Sequence, residues 1–65
     1  MTKAEALEAM KAGRKLTHIS FCGSEWVARL SAGLYEFEDG CVCRPQEFWR
    51  GRTGDSWQSG WSIFQ

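Results

Sequence analysis

Four tryptophans in a chain of 65 residues, three of them (Trp49, Trp57 and Trp61) within the last 17, constrain what this sequence can become. A domain of this size buries only about 60% of its unfolded surface. It cannot enclose every large aromatic, so some aromatic surface is left over to contact something else. The chain is 43% hydrophobic and 14% aromatic, too apolar to stay disordered, and it reads as one small folded unit over residues 1–65. A core this small supplies about 3–5 kcal/mol, which leaves little margin for error in packing.

Charge narrows the function classes. Eight basic residues against eight acidic give a formal net charge of zero. A general nucleic-acid binder carries a basic stripe, so no direct nucleic-acid partner is expected. Low net charge also gives weak colloidal protection, which keeps a homo-oligomer open. No run approaches 18 apolar residues, so no membrane partner is expected. The first residues have the pattern of a charged amphipathic helix, not of a signal peptide. Three cysteines (Cys22, Cys41, Cys43) are an odd number, and free thiols in a reducing cytoplasm fit them best.

The elements follow from local chemistry. Thr2 and Glu5 have capping-box spacing. From Ala4 to Ala12 good helix formers place Ala6, Leu7 and Met10 at core-facing spacing, and Gly13 stands where a helix stops. The period then changes from 3.6 to 2. In Leu16–Cys22, alternation sends Thr17, Ile19 and Phe21 one way and His18, Ser20 and Cys22 the other. Glu25–Leu30 admits two readings: Trp26, Ala28 and Leu30 alternate as in a strand, whereas Trp26, Val27 and Leu30 suit a helical turn after Ser24. The Ser31-Ala32-Gly33 turn that follows favours the strand.

Leu34–Arg44 predicts a hairpin about a two-residue Asp39-Gly40 turn of type I′. That turn sets Glu38 against Cys41, Phe37 against Val42, Glu36 against Cys43 and Tyr35 against Arg44. Tyr35, Phe37 and Val42 then form the core face, with Glu36, Glu38, Cys41 and Cys43 on the other. Pro45 opens a short helix that Gly51 closes, Arg52–Gly60 reads as a loop, and Trp61–Phe64 as a closing strand with Trp61 and Ile63 on one face. The expected class is α+β: an N-terminal helix packed on a small antiparallel sheet, with a short second helix before the last strand.

Four constellations carry chemistry on paper. Cys41-x-Cys43 with Cys22 and His18 offers three sulfurs and an imidazole to zinc. A C-x-C pair in a strand holds its sulfurs roughly 6–7 Å apart on one face, however, unlike the C-x2-C knuckle that wraps one ion. No metal site and no cofactor is expected. His18 as a general base lacks a signature for its nucleophile and orienting partner, so no catalytic residue is assigned. The segment Arg44, Phe48, Trp49, Arg50, Arg52 interleaves cations with aromatics; Trp49, Arg50 and Arg52 form a candidate partner- or ligand-binding patch. The alternative is that Phe48 and Trp49 anchor the short helix while the arginines are solvated. Glu36, Glu38 and Asp39, extended by Glu25 and Asp55, form a candidate acidic face for a basic partner surface; the alternative is a solvated sheet face that discourages aggregation.

The stretch Ala6-Leu7-Glu8-Ala9-Met10-Lys11-Ala12-Gly13-Arg14-Lys15-Leu16 resembles the ALEALKAGKKV opening of small proteins encoded by phages and prophages. In order along the chain it is followed by an EDG turn (Glu38-Asp39-Gly40), an EFW stretch (Glu47-Phe48-Trp49) and a closing W..GWSIF (Trp57 to Phe64). The chain is similar to counter-defence proteins of the anti-CRISPR type, which work without enzymatic motifs by occupying a surface of a Cas complex. The resemblance implies a non-enzymatic inhibitor of bacterial immunity acting in the cytoplasm of an infected cell, with a CRISPR-Cas effector complex as partner. The opening is also similar to the Thoeris anti-defence sponge family, whose oligomers sequester a cyclic nucleotide signal. That likeness implies the alternative of an oligomeric nucleotide sponge, with Trp49, Arg50 and Arg52 as its site.

Overall fold

Thr2 and Glu5 close the capping box that their spacing predicts. In the computed structural model, which describes residues 1–65, Glu5 N–H donates to Thr2 Oγ1 at 3.2 Å and Thr2 N–H donates to Glu5 Oε1 at 2.8 Å. Helix α1 runs Lys3–Lys11 and buries Ala6 and Met10. Its end is closed by Gly13 N–H donating to the Met10 carbonyl at 3.0 Å and Arg14 N–H to the Ala9 carbonyl at 3.1 Å, the paired bonds of a Schellman stop. Strands β1 (Leu16–His18), β2 (Val27–Arg29), β3 (Tyr35–Phe37), β4 (Val42–Cys43) and β5 (Trp61–Ile63) form one antiparallel sheet in the order β4-β3-β2-β1-β5. Helix α2 (Pro45–Arg50) starts on its proline and, with a 3-10 turn at Asp55–Trp57, fills the connection before β5. The class is α+β, as expected from the sequence. No helix is long and apolar enough to cross a membrane.

Register decides which side chains meet. Across β1 and β5, Leu16 pairs with Ile63 and His18 with Trp61; across β2 and β3, Val27 pairs with Phe37 and Arg29 with Tyr35. These positions share one face, here called inner. Both helices pack on it: Ala6 and Met10 from α1 and Phe48 from α2 join Leu16, Val27, Tyr35 and Trp61 in a single buried cluster. Phe48 is 2% exposed and lies edge-on to Tyr35 at 5.3 Å and to Trp49 at 4.8 Å between ring centroids. Trp57 and Trp61 both belong to this side, 6.0 Å apart.

The hairpin differs from its expected form. Phe37 N–H donates to the Cys41 carbonyl, Gly40 N–H donates to the Phe37 carbonyl, and Gly40 has φ +87°. This is a three-residue loop, Glu38-Asp39-Gly40, with the glycine in the left-handed position. A type I′ turn needs positive φ at both central residues, and no residue other than glycine adopts it anywhere in the chain. Asp39 instead accepts the Cys41 N–H on its carboxylate at 3.0 Å, which holds the longer loop. The same loop, with Gly33 in the last position, joins β2 to β3. One extra loop residue shifts the pairing to Tyr35 with Cys43 and Glu36 with Val42. The shift exchanges faces: Val42 is 47% exposed and Cys43 packs against the core.

His18 is the second departure. The alternation over Leu16–Cys22 puts it on a polar face, yet it is 3% exposed while Ile19 is 83% exposed. The strand ends at His18, and a turn then brings Phe21 back to the inner side, 6.0 Å from the imidazole. Burial is tolerated because both ring nitrogens are paired. Nε2 lies 3.0 Å from the Ser56 carbonyl and 2.8 Å from the Ser59 carbonyl, and Nδ1 accepts the Ser20 N–H at 3.0 Å. An accepting Nδ1 puts the ring hydrogen on Nε2, where two carbonyls receive it. The imidazole thereby ties β1 to the segment before β5. Gly60 completes the fit: a Cβ there would stand 2.9 Å from Ile19 Cγ2 and 3.1 Å from His18 Nε2.

Candidate functional site

Because both helices and the Asp55–Trp57 turn pack on the inner face, the outer face has no covering layer. Strand alternation delivers to it Thr17, Ala28, Glu36, Val42 and Ser62. Next to these, Lys15, Trp26 and Phe64 stand just outside the ends of β1, β2 and β5. Lys15 Nζ lies 4.3 Å from the centroid of the Trp26 ring, and the Trp26 and Phe64 rings are 6.5 Å apart at 45°. The Phe64 N–H donates to the Lys15 carbonyl at 2.9 Å, which extends the β1–β5 ladder and fixes this corner. Trp26 and Phe64 are half-buried and Val42 is exposed. Two aromatics, an aliphatic, a lysine and a carboxylate thus share one face that no helix covers.

The expected acidic set reaches this face only in part. Glu36 projects from the middle of β3, opposite Ala28 on one side and Val42 on the other. Glu38 and Asp39 leave the strand and form the exposed loop tip beside it. The Asp39 carboxyl is held below its ordinary range, first by the backbone hydrogen bond from Cys41, so it serves the turn as well as the surface.

The expected aromatic–basic patch is not one surface. Trp49 is half-buried, donates from Nε1 to the Tyr35 hydroxyl at 3.0 Å, and carries Lys3 Nζ 4.3 Å above its ring. Arg52 turns back over helix α2: Nη1 donates to the Phe48 carbonyl at 2.9 Å, and the guanidinium carbon lies 4.2 Å from the Phe48 ring centroid and 5.2 Å from that of Trp57. It caps the carbonyl end of the helix, where a cation is favoured, while its Nε is buried without an acceptor. Arg50 alone faces out, in a polar notch of about 290 Å³ with Arg44, Gln46 and Glu47. Both Trp49 and Arg52 are thus spent mainly on anchoring α2.

Metal ligation and thiol chemistry find no assembled site. No three of the His, Cys, Asp and Glu side chains converge on a point where an ion could sit. His18 is enclosed, and Cys22, Cys41 and Cys43 are free thiols. A hydrogen bond to Asp39 raises the Cys41 thiol above its ordinary value, and burial raises that of Cys43; both shifts oppose formation of a reactive thiolate.

Lys15, Trp26 and Phe64 are the residues sequence reasoning did not assemble. The alternation of Trp26 and Ala28 was their available signal, since it places Trp26 opposite to the buried Val27. Compared with protein-family models, with curated proteins and with solved structures, the chain matches none of them.

Proposed function

We propose that this chain is a small, phage-encoded, non-enzymatic inhibitor of bacterial immunity that blocks a CRISPR-Cas effector complex by stoichiometric binding in the host cytoplasm. The observation that carries the binding role is the uncovered outer face, where Trp26, Phe64 and Val42 remain accessible beside Glu36. In a domain of 65 residues, aromatic surface kept out of a small core is costly to stability and has its use in a partner contact. The choice of partner rests on the resemblance of the Ala6–Leu16, Glu38–Gly40, Glu47–Trp49 and Trp57–Phe64 segments to small counter-defence proteins. Glu36, with Glu38 and Asp39 at the rim, supplies the negative charge that would steer this face to a basic nucleic-acid channel.

Purified chain mixed with CRISPR-Cas effector complexes of several types, followed by native mass spectrometry, tests this reading. The expected result is one effector type binding at fixed stoichiometry, with loss of binding in a Trp26→Ser, Phe64→Ser double variant that keeps its circular dichroism. Reversing Glu36, Glu38 and Asp39 to lysine should slow association more than it speeds dissociation. A homo-oligomer that carries a nucleotide-sized mass and ignores every effector would replace this reading with the nucleotide sponge.

A further inference from the structure

On the opposite side of the sheet from that face, α1 does not close fully over β2 and β3. Between them lies a cleft of about 410 Å³, within the range that holds small molecules. Its floor is apolar and already fixed: Met10 and Tyr35 are 2% and 4% exposed, and Leu7 lines the helix wall half-buried. The Tyr35 ring is held in place by its hydroxyl, which accepts the Trp49 Nε1–H at 3.0 Å. Charge at the mouth is net positive, with Arg29 and Lys11 against Glu8. Lys11 and Glu8 are paired with each other at 3.3 Å, whereas Arg29 makes no ion pair and no hydrogen bond from its guanidinium within the chain. Register places Arg29 there, since it pairs with Tyr35 on the inner face where β2 runs out past the helix.

We propose that this cleft binds a small monoanion with an apolar body, a carboxylate on a hydrocarbon or aryl group, and that Arg29 receives the carboxylate. The apolar part lies against Leu7, Met10 and Tyr35. The planar guanidinium offers two parallel N–H donors to the two carboxylate oxygens at the mouth. Lys11, which shares the helix surface with Glu8 at 3.3 Å, adds less than Arg29. A dianion or polyanion is disfavoured, because one free cation faces a mouth that also holds the Glu8 carboxylate. The site is independent of the partner-binding face, which lies across the sheet.

Octanoate and 1-octanol, alike in body and different in charge, are the probes, read by amide and side-chain NMR shifts during titration below their aggregation limits. Octanoate should bind saturably, with shifts confined to Leu7–Lys11, Arg29 and Tyr35. It should bind about fivefold more tightly than 1-octanol, the worth of one exposed charge-assisted contact. Arg29→Gln should remove that preference and leave 1-octanol binding unchanged, and Arg29→Lys should retain part of it. Arg29 is exposed, so neither variant threatens the fold. Equal binding of the two probes to the native chain, shifts that never saturate, or shifts centred on Trp26 and Phe64 would each overturn the proposal.

Discussion

The two faces of one five-stranded sheet are built to different standards. On the inner face, Val27 is 0% exposed, Leu16 1% and Phe48 2%, and even the polar His18 has both nitrogens paired. On the outer face, Val42 is 47% exposed and the Trp26 and Phe64 rings lie 6.5 Å apart under one lysine. Both faces hold aromatics, so composition does not separate them. What separates them is that two helices converge on one side only. A small domain has enough helix to cover one face, and the side chains left on the other must serve solubility or contact.

Breaking the inner face should cost the most. Phe48→Ala removes the ring that bridges Tyr35, Phe37 and Trp61; a loss of about 3–5 kcal/mol is expected, comparable with the whole stability of a domain this size. Thermal denaturation followed by circular dichroism should show no cooperative transition. His18→Ala comes next. It removes a buried ring that packs on Trp57 and Trp61 and leaves the carbonyls of Ser56 and Ser59 and the Ser20 N–H without their partner, at about 1–3 kcal/mol. Urea melts should show it, with fast amide exchange around Ser56–Gly60.

The hairpin register offers a sharper test of which side is which. With Cys43 turned inward and Val42 outward, Cys43→Ser should destabilise by about 1 kcal/mol and Val42→Thr by less than about 0.5 kcal/mol. A two-residue Asp39-Gly40 turn would reverse that order, so the pair of melts decides between the registers. On the outer face, Trp26→Ser should cost about 1 kcal/mol or less in stability, far below the inner-face values, while abolishing the partner binding proposed above. A loss as large as that of Phe48→Ala would show that the outer aromatics are core after all.

The smallest effect is electrostatic. Glu5 is held below the ordinary carboxylate value first by the Thr2 backbone N–H, and Asp39 first by that of Cys41. A carboxyl depressed in the folded state stabilises it above the unfolded value and loses that contribution as pH falls through the folded one. Stability measured by melts should therefore decline at acidic pH, and an Asp39→Asn, Glu5→Gln variant should flatten that decline. A variant with the same acid slope as the native chain would assign acid sensitivity elsewhere.

Much of this was readable along the chain. Thr2, Glu5 and Gly13 bound α1 through contacts three to five residues apart, and Pro45 and Gly51 do the same for α2. The strand reading of Glu25–Leu30 contains β2, and Trp61 and Ile63 do share a face of β5. Such contacts lie within one turn or one pleat, where residue type alone sets the geometry. The candidate sites were less legible. Trp49 and Arg52 form a basic–aromatic pattern in sequence, but their partners are Tyr35, 14 residues away, and the Phe48 carbonyl.

Local chemistry along the chain therefore suffices for the α+β class, the helix ends and most of the order of the strands. The faces come from long-range packing. A single loop residue exchanged Val42 for Cys43, and the approach of Ser56 and Ser59, about 40 residues distant in the chain, made His18 a core residue. Strand side chains alternate with period two, so which set is buried depends on pairing and on what packs above the sheet. Those contacts are long-range and no local pattern encodes them.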